Sequence, residues 1–320
     1  MLPGETNAPT ISAKRQAPPY SDADRLPPDV EPAQVSERRA SILGDFGELV
    51  RELSDHRELL LQLTRRDMRI RYKQALMGVG WAIIMPLVVI LSGWVLRIAF
   101  TRLANAPLDS AIMAGIAVKS VGWAFFVGAL GFGTSSITAN LALVTKVYFP
   151  RAVLPLASVA TQVADGAIAA AALSVILPFF SVGLNWTLLW LIPLTCVLIT
   201  LTTAAALLFS CANVFFRDAR HLVQLILSFG IFFTPVFFDA SAFGGNNTWL
   251  VMLNPLAPVL EGMRLSVVAG HNLAAPLGGL GGTVVWTPWF LLWSTGASVV
   301  LLVLSSVICH RAEFKFAEYV

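Results

Sequence analysis

Hydrophobic positions along this chain gather into long unbroken runs parted by short polar segments, a pattern that matches neither strand alternation nor the single apolar stripe of a soluble helix. A hydrocarbon core about 30 Å thick demands about 20 apolar residues of a helix rising 1.5 Å per residue. Six runs meet or approach that length: Gly78 to Phe100, Ala111 to Phe132, Pro155 to Phe180, Trp186 to Cys211, His221 to Phe238 and Val284 to Ile308. The fifth is only just long enough to span. A β-barrel fits poorly, because barrel strands need only about 9–11 alternating residues and these runs are longer and uniformly apolar.

Ahead of the first run the pattern changes. From Ile42 to Arg71, Phe46, Leu49, Leu53, Leu59, Leu60, Leu61, Leu63 and Met68 recur among Arg51, Glu52, Arg57, Glu58, Arg65, Arg66 and Arg69. Apolar residues at helical spacing beside a basic face predict an amphipathic helix lying in the membrane interface; a helix packed on another protein would show the same pattern. Residues 1–40 are rich in Pro, Ala, Ser and charge, with Pro18-Pro19 and Pro27-Pro28 breaking any helix, and they read as a disordered tail. The predicted organisation is therefore a tail (1–40), an amphipathic interfacial region (41–77), a transmembrane domain (78–309) and a C-terminal tail (310–320).

Composition agrees with the pattern. Of 320 residues 56% are hydrophobic and 13% charged, and the mean hydropathy is +0.72, where a soluble domain carries about a quarter charged residues. A net charge of +3 gives no nucleic-acid surface. Cys196, Cys211 and Cys309 lie in or beside apolar runs without ligand spacing and read as separate buried cysteines, and His56, His221, His271 and His310 form no metal-ligand pattern. No phosphate loop and no catalytic triad occur, so the chain is expected to bind no cofactor and carry no catalytic site of its own.

Basic residues assign the sides. Arg65, Arg66, Arg69, Arg71 and Lys73 precede the first run, Lys146 and Arg151 lie between the second and third, Arg217 and Arg220 between the fourth and fifth, and Arg311 and Lys315 follow the sixth. The alternate loops hold mainly Arg97, Arg102 and Arg264. The positive-inside rule then puts both termini in the cytoplasm of a multi-pass protein.

The segment Arg65-Arg66-Asp67-Met68-Arg69-Ile70-Arg71-Tyr72-Lys73-Gln74, followed by Leu76, Gly78, Trp81 and Pro86-Leu87, resembles the opening of ABC-2 type permeases that export polysaccharides and teichoic acids. Ala75 stands where that family usually has a small polar residue. Three further patches resemble the family in the same order: Asn140 with Lys146-Val147-Tyr148-Phe149-Pro150-Arg151; Asn213-Val214-Phe215-Phe216-Arg217-Asp218; and Thr234-Pro235 with Asn254-Pro255-Leu256 and Glu261-Gly262-Met263-Arg264. The resemblance implies an all-α integral membrane fold of six transmembrane helices, preceded by the interfacial helix, with short extracytoplasmic helices between spans five and six. It further implies a bacterial inner (cytoplasmic) membrane, a second copy of the chain, two nucleotide-binding ATPase subunits that hold ATP and Mg, and a lipid-linked glycan, such as an O-antigen, galactan or teichoic-acid-like chain on a polyprenyl diphosphate. Export of a drug or small lipid, and a non-transporting scaffold, are the competing readings.

Roles follow from residue chemistry set against that resemblance. Lys146, Tyr148, Phe149, Pro150 and Arg151 are expected to couple to the ATPase, the aromatics as a stiff knob and the cations toward carboxylates; a loop anchored at the headgroups has the same composition. Asn213, Arg217 and Asp218 are expected to fix a cytoplasmic turn, with Asp218 capping the following helix. Trp94, Trp123, Phe125, Phe126, Phe229, Phe232 and Phe233 are conduit candidates against which sugar C–H faces can slide, although packing and interface belts use the same residues. Lys119 and Asp165, charged within predicted spans, are expected to pair with each other between spans or across copies; snorkelling of Lys119 to the headgroups is the alternative.

Overall fold

The computed structural model of the chain describes residues 42–73, 78–105, 107–144, 149–243, 247–279 and 284–313. The predicted N-terminal tail, Lys146, Tyr148 and the last seven residues from Phe314 lie outside the described residues.

The amphipathic region forms two helices, α1 (Ile42–Asp55) and α2 (Arg57–Lys73), where one was expected. They meet at His56, whose ring Nδ1 lies 2.8 Å from the Glu52 carbonyl. Next come α3 (Gly80–Leu103), α4 (Ser110–Ala139), α5 (Leu141–Val144), α6 (Val153–Ile176), α7 (Leu191–Phe215) and α8 (Ala219–Phe233). Two short helices, α9 (Thr248–Met252) and α10 (Leu256–Val267), precede α11 (Pro288–Glu313).

Among the described residues five helices are long and apolar enough to cross a membrane: α3, α4, α6 continued by a 3₁₀ turn to Phe180, α7 extended back by one to Trp186, and α11. With 15 residues, α8 rises about 22 Å, short of a core about 30 Å thick. The sixth predicted run also starts differently. Val284–Trp286 is a strand paired antiparallel with Leu277–Gly278. Trp286 is fully buried and its indole N–H donates to the Leu273 carbonyl at 3.0 Å, which holds the chain extended there. The helix then begins on Pro288, whose missing N–H costs nothing in a first turn.

At the centre stands α4, packed against α3, α6, α7, α8 and α10. Its apolar residues surround the whole helix, as burial on all sides requires. Small residues permit the approach: a Cβ added at Gly133 would lie 2.8 Å from the Ala206 Cβ of α7. At the end of the bundle carrying α2, the basic end, Leu63, Ile137, Val144, Phe149, Val153, Leu154 and Ala157 form a second cluster. Cys211 and Cys309 also lie there, joined by a disulfide between the last turns of α7 and α11. That corrects the expectation of three separate buried cysteines, since these two helices pack along one another and Cys196 is exposed.

Candidate functional site

Three arrangements at different depths bring together most of the charged and aromatic residues singled out by sequence.

The first is a groove of about 470 Å³ between α4, α7 and α8, closed at one end by the segment leading into α10. Trp123 and Phe126 from α4 face Leu225, Phe229 and Phe233 from α8, and Thr234 and Asn254 supply polar groups. Trp123 and Phe126 are 5.9 Å apart, centroid to centroid. The Asn254 side-chain amide donates to Thr234 Oγ1 at 3.0 Å, so the groove end is fixed by a hydrogen bond between its own walls. Of the seven conduit candidates, Trp123, Phe126, Phe229 and Phe233 line this groove. Phe125 does not: it is buried under Gly166 of α6. Trp94 donates its indole N–H to the Met113 carbonyl at 2.9 Å and packs on Phe180, and Phe232 is exposed on α8 away from the groove lining.

The second lies where α2 meets the bundle. Leu63 packs near the start of α6 while Arg71 and Tyr72 both reach the Asp165 carboxylate, so α2 climbs along the first turns of α6. Arg71 also donates to Gln162 Oε1 at 3.2 Å and stands 4.2 Å over the Phe132 ring. Burial and then the Asp165 hydrogen bond and charge push the Tyr72 hydroxyl up to about 12, so it stays a neutral donor to that carboxylate. Arg66 donates to Asp67 at 2.9 and 3.0 Å and to Asn140 Oδ1 at 2.9 Å, tying α2 to the end of α4. Arg65, Arg69 and Lys73 face outward and are exposed.

The third lies toward the opposite end. Lys119, fully buried on α4, donates to the Phe238 carbonyl at 2.6 Å and to Asp239 Oδ1 at 3.0 Å, with Glu261 Oε2 at 3.5 Å. Arg264 completes the network through Glu261 at 2.6 Å and Asp239 at 3.2 Å. Its aliphatic stem crosses Gly115, where a Cβ would come within 2.9 Å. Two cations and two carboxylates thus pin α10 and the segment after α8 onto the central helix.

These partners correct the expected Lys119–Asp165 pair, which the chain does not form within itself. Gly166 packs on Phe125, and Phe125 lies six residues, about 9 Å of helical rise, further along α4 than Lys119. The first turns of α6 are occupied by α2 and the basic-end cluster, so Asp165 sits toward that end, away from Lys119. Glu261 and Arg264 were legible as charges within an apolar stretch; what joins them to Lys119 is the fold.

The coupling segment is also redrawn. Phe149 is buried at 4% exposure in the chain's own basic-end cluster, and Pro150 is buried beside it, so neither is a knob held out to a partner. Arg151 meets Glu313 at the end of α11: its backbone N–H donates to Oε1 at 2.8 Å and its guanidinium to the carbonyl at 3.3 Å. Asn213 is buried and donates to Thr138 Oγ1 at 3.1 Å, joining α7 to α4. Arg217 and Asp218 are exposed, and Asp218 occupies the N-cap position of α8 without a side-chain capping bond. Among the described residues no group of His, Cys, Asp and Glu is arranged to hold a metal ion.

Comparison with known proteins gives the arrangement its family. Residues 58–268 match the membrane domain described as ABC-2 type transporter, a stretch holding all three arrangements. The chain is similar to an O-antigen export system permease protein RfbA of Myxococcus xanthus, 28% identical over 274 residues that cover 84% of this chain and 98% of that protein. Two proteins of the same name from Klebsiella pneumoniae are 25% and 24% identical, each match covering 82% of this chain and 94% of the relative. A match extending from α2 through α10 shows that the chain belongs to the ABC-2 type transporter family.

Proposed function

We propose that the chain is the membrane-spanning subunit of an ATP-driven exporter that moves a lipid-linked polysaccharide out of the cytoplasm. The observation that carries this reading is the nearly end-to-end match to permeases named for O-antigen export. The groove agrees with it: aromatic walls with few fixed hydrogen-bonding groups suit a sugar chain that has to slide. Two copies of the chain work with two ATPase subunits, which bind ATP and Mg, and the cargo is held on a polyprenyl diphosphate.

In this reading α8, continued by the segment to Asp239, is the fifth of six spans, and α9 and α10 form the short extracytoplasmic helices between it and α11. The ion network around Lys119 supports this, because backbone that leaves helical form at membrane depth is tolerated where it is packed against protein. Both termini are cytoplasmic, on the strength of the basic residues at the α2 end, and the membrane is the bacterial inner membrane.

Depletion of the chain, followed by extraction of membrane lipids and mass spectrometry, tests the proposal. Full-length glycan on its polyprenyl carrier is expected to accumulate on the cytoplasmic face; an unchanged glycan pool overturns the reading.

A further inference from the structure

The arginines of α2 divide into two sets. Arg66 and Arg71 face inward and are engaged by Asp67, Asn140, Gln162 and Asp165. Arg65 and Arg69, one helical turn apart, face outward, and among the described residues no carboxylate pairs with either. They line a surface concavity of about 360 Å³ with Gln62, Arg66 and Ile70.

Depth identifies what meets them. Counted from Ser110, where α4 begins, Phe132 lies 22 residues on, about 33 Å of rise. A bilayer core is about 30 Å thick and the headgroup layers bring the total to about 40–45 Å. With Ser110 set at the outer surface of a layer this thick, Phe132 and the Arg71 stacked on it come to the inner edge of the core. Arg69 falls about 3 Å and Arg65 about 9 Å back along α2, within and at the water side of the headgroup layer. Ile70, 66% exposed, borders the same concavity on the core side. Two free guanidiniums at phosphate depth beneath an exposed aliphatic side chain follow the polarity order of a phospholipid, phosphate outward and acyl chain inward.

We propose that the Arg65–Arg69 concavity is a binding site for the phosphate of an anionic membrane lipid. Arg65 and Arg69 form charge-assisted hydrogen bonds with the phosphate oxygens, Gln62 donates from its amide, and the lipid's first methylenes lie against Ile70. The site stands independently of the exporter reading, since it needs only that α2 meet the headgroups.

The test uses the full chain purified into nanodiscs of phosphatidylcholine with graded phosphatidylglycerol, with retained lipid read by native mass spectrometry. The wild-type chain is expected to retain phosphatidylglycerol in preference to phosphatidylcholine. Arg65→Gln with Arg69→Gln is expected to weaken that retention about 25-fold, at about fivefold per cation. Arg57→Gln, which removes one exposed charge from the same helix outside the concavity, is expected to leave it unchanged. Equal losses in the Arg57 variant, or none in the double variant, overturn the site. Displacement of the lipid by inorganic pyrophosphate at equal concentration overturns the assignment to a lipid in favour of a free anion.

Discussion

Lys119 joins the central helix to α10 and to the segment after α8. A buried ammonium is tolerated only where partners replace its water, and here one carbonyl and two carboxylates do so. Lys119→Met leaves the buried Glu261 and the part-buried Asp239 without their ammonium partner, and a loss of about 3–5 kcal/mol is expected on thermal unfolding in detergent. Adding Asp239→Asn to that variant is expected to restore part of the loss. The exchange Lys119→Asp with Asp165→Lys is expected to do no better than the worse single change, because the two side chains serve different sites. That Lys119 needs a partner is legible from its place in an apolar run; which partner is not, since Asp239 lies 120 residues away. The pairing of Tyr72 with Asp165, 93 residues apart, was equally hidden. Its signature is spectroscopic. The phenol's native value is raised, so its contribution to stability is fully present below its ordinary value near 10 and is lost as pH rises through about 12. The difference in tyrosinate absorbance between wild type and Tyr72→Phe should appear near pH 12; a component near pH 10 would contradict the Asp165 bond.

Among the elements, α4 shows how sequence sets packing. Gly131 and Gly133 lie two residues apart on the same helix, yet an added Cβ meets nothing within 4 Å at the first and Ala206 at 2.8 Å at the second. Gly133→Val is therefore expected to destabilise by about 1–3 kcal/mol through overpacking against α7, and Gly131→Val to be close to neutral, both read as midpoint shifts in thermal unfolding. At the α2 junction, Arg71→Gln and Asp165→Asn should be non-additive, with a coupling of about 1.5–3 kcal/mol in a double-mutant cycle. The four long spans before α8 were legible from apolar length alone. The short strand at Val284–Trp286 was not, because its apolar residues continue the run of the last helix and only the tertiary seat of Trp286 separates them. Nor was the burial of Phe149: an aromatic between cations reads as a headgroup anchor or a docking knob until the chain folds it onto Leu63 and Val153.

For the whole molecule, structure and family agree on a helical membrane domain; within it ion pairs join the central helix to α10 through Lys119, and α6 to α2 through Asp165. The aromatic groove lies between those two levels, walled by α4, α7 and α8. Composition and run length located the membrane domain; they do not reveal which aromatics share a face, because helices apolar on every side carry no periodic signal. The central claim is that this chain, driven by a partner ATPase, carries a polyprenyl-diphosphate-linked glycan across a bilayer. Its most direct measurement is reconstitution of the chain with its cognate ATPase in proteoliposomes bearing a labelled glycan lipid, scored by protection of the glycan from a glycosidase outside. The account predicts that ATP with Mg moves glycan to the protected side and that Phe229→Ala with Phe233→Ala slows this while leaving assembly intact. Glycan that stays fully accessible while ATP is hydrolysed would contradict it.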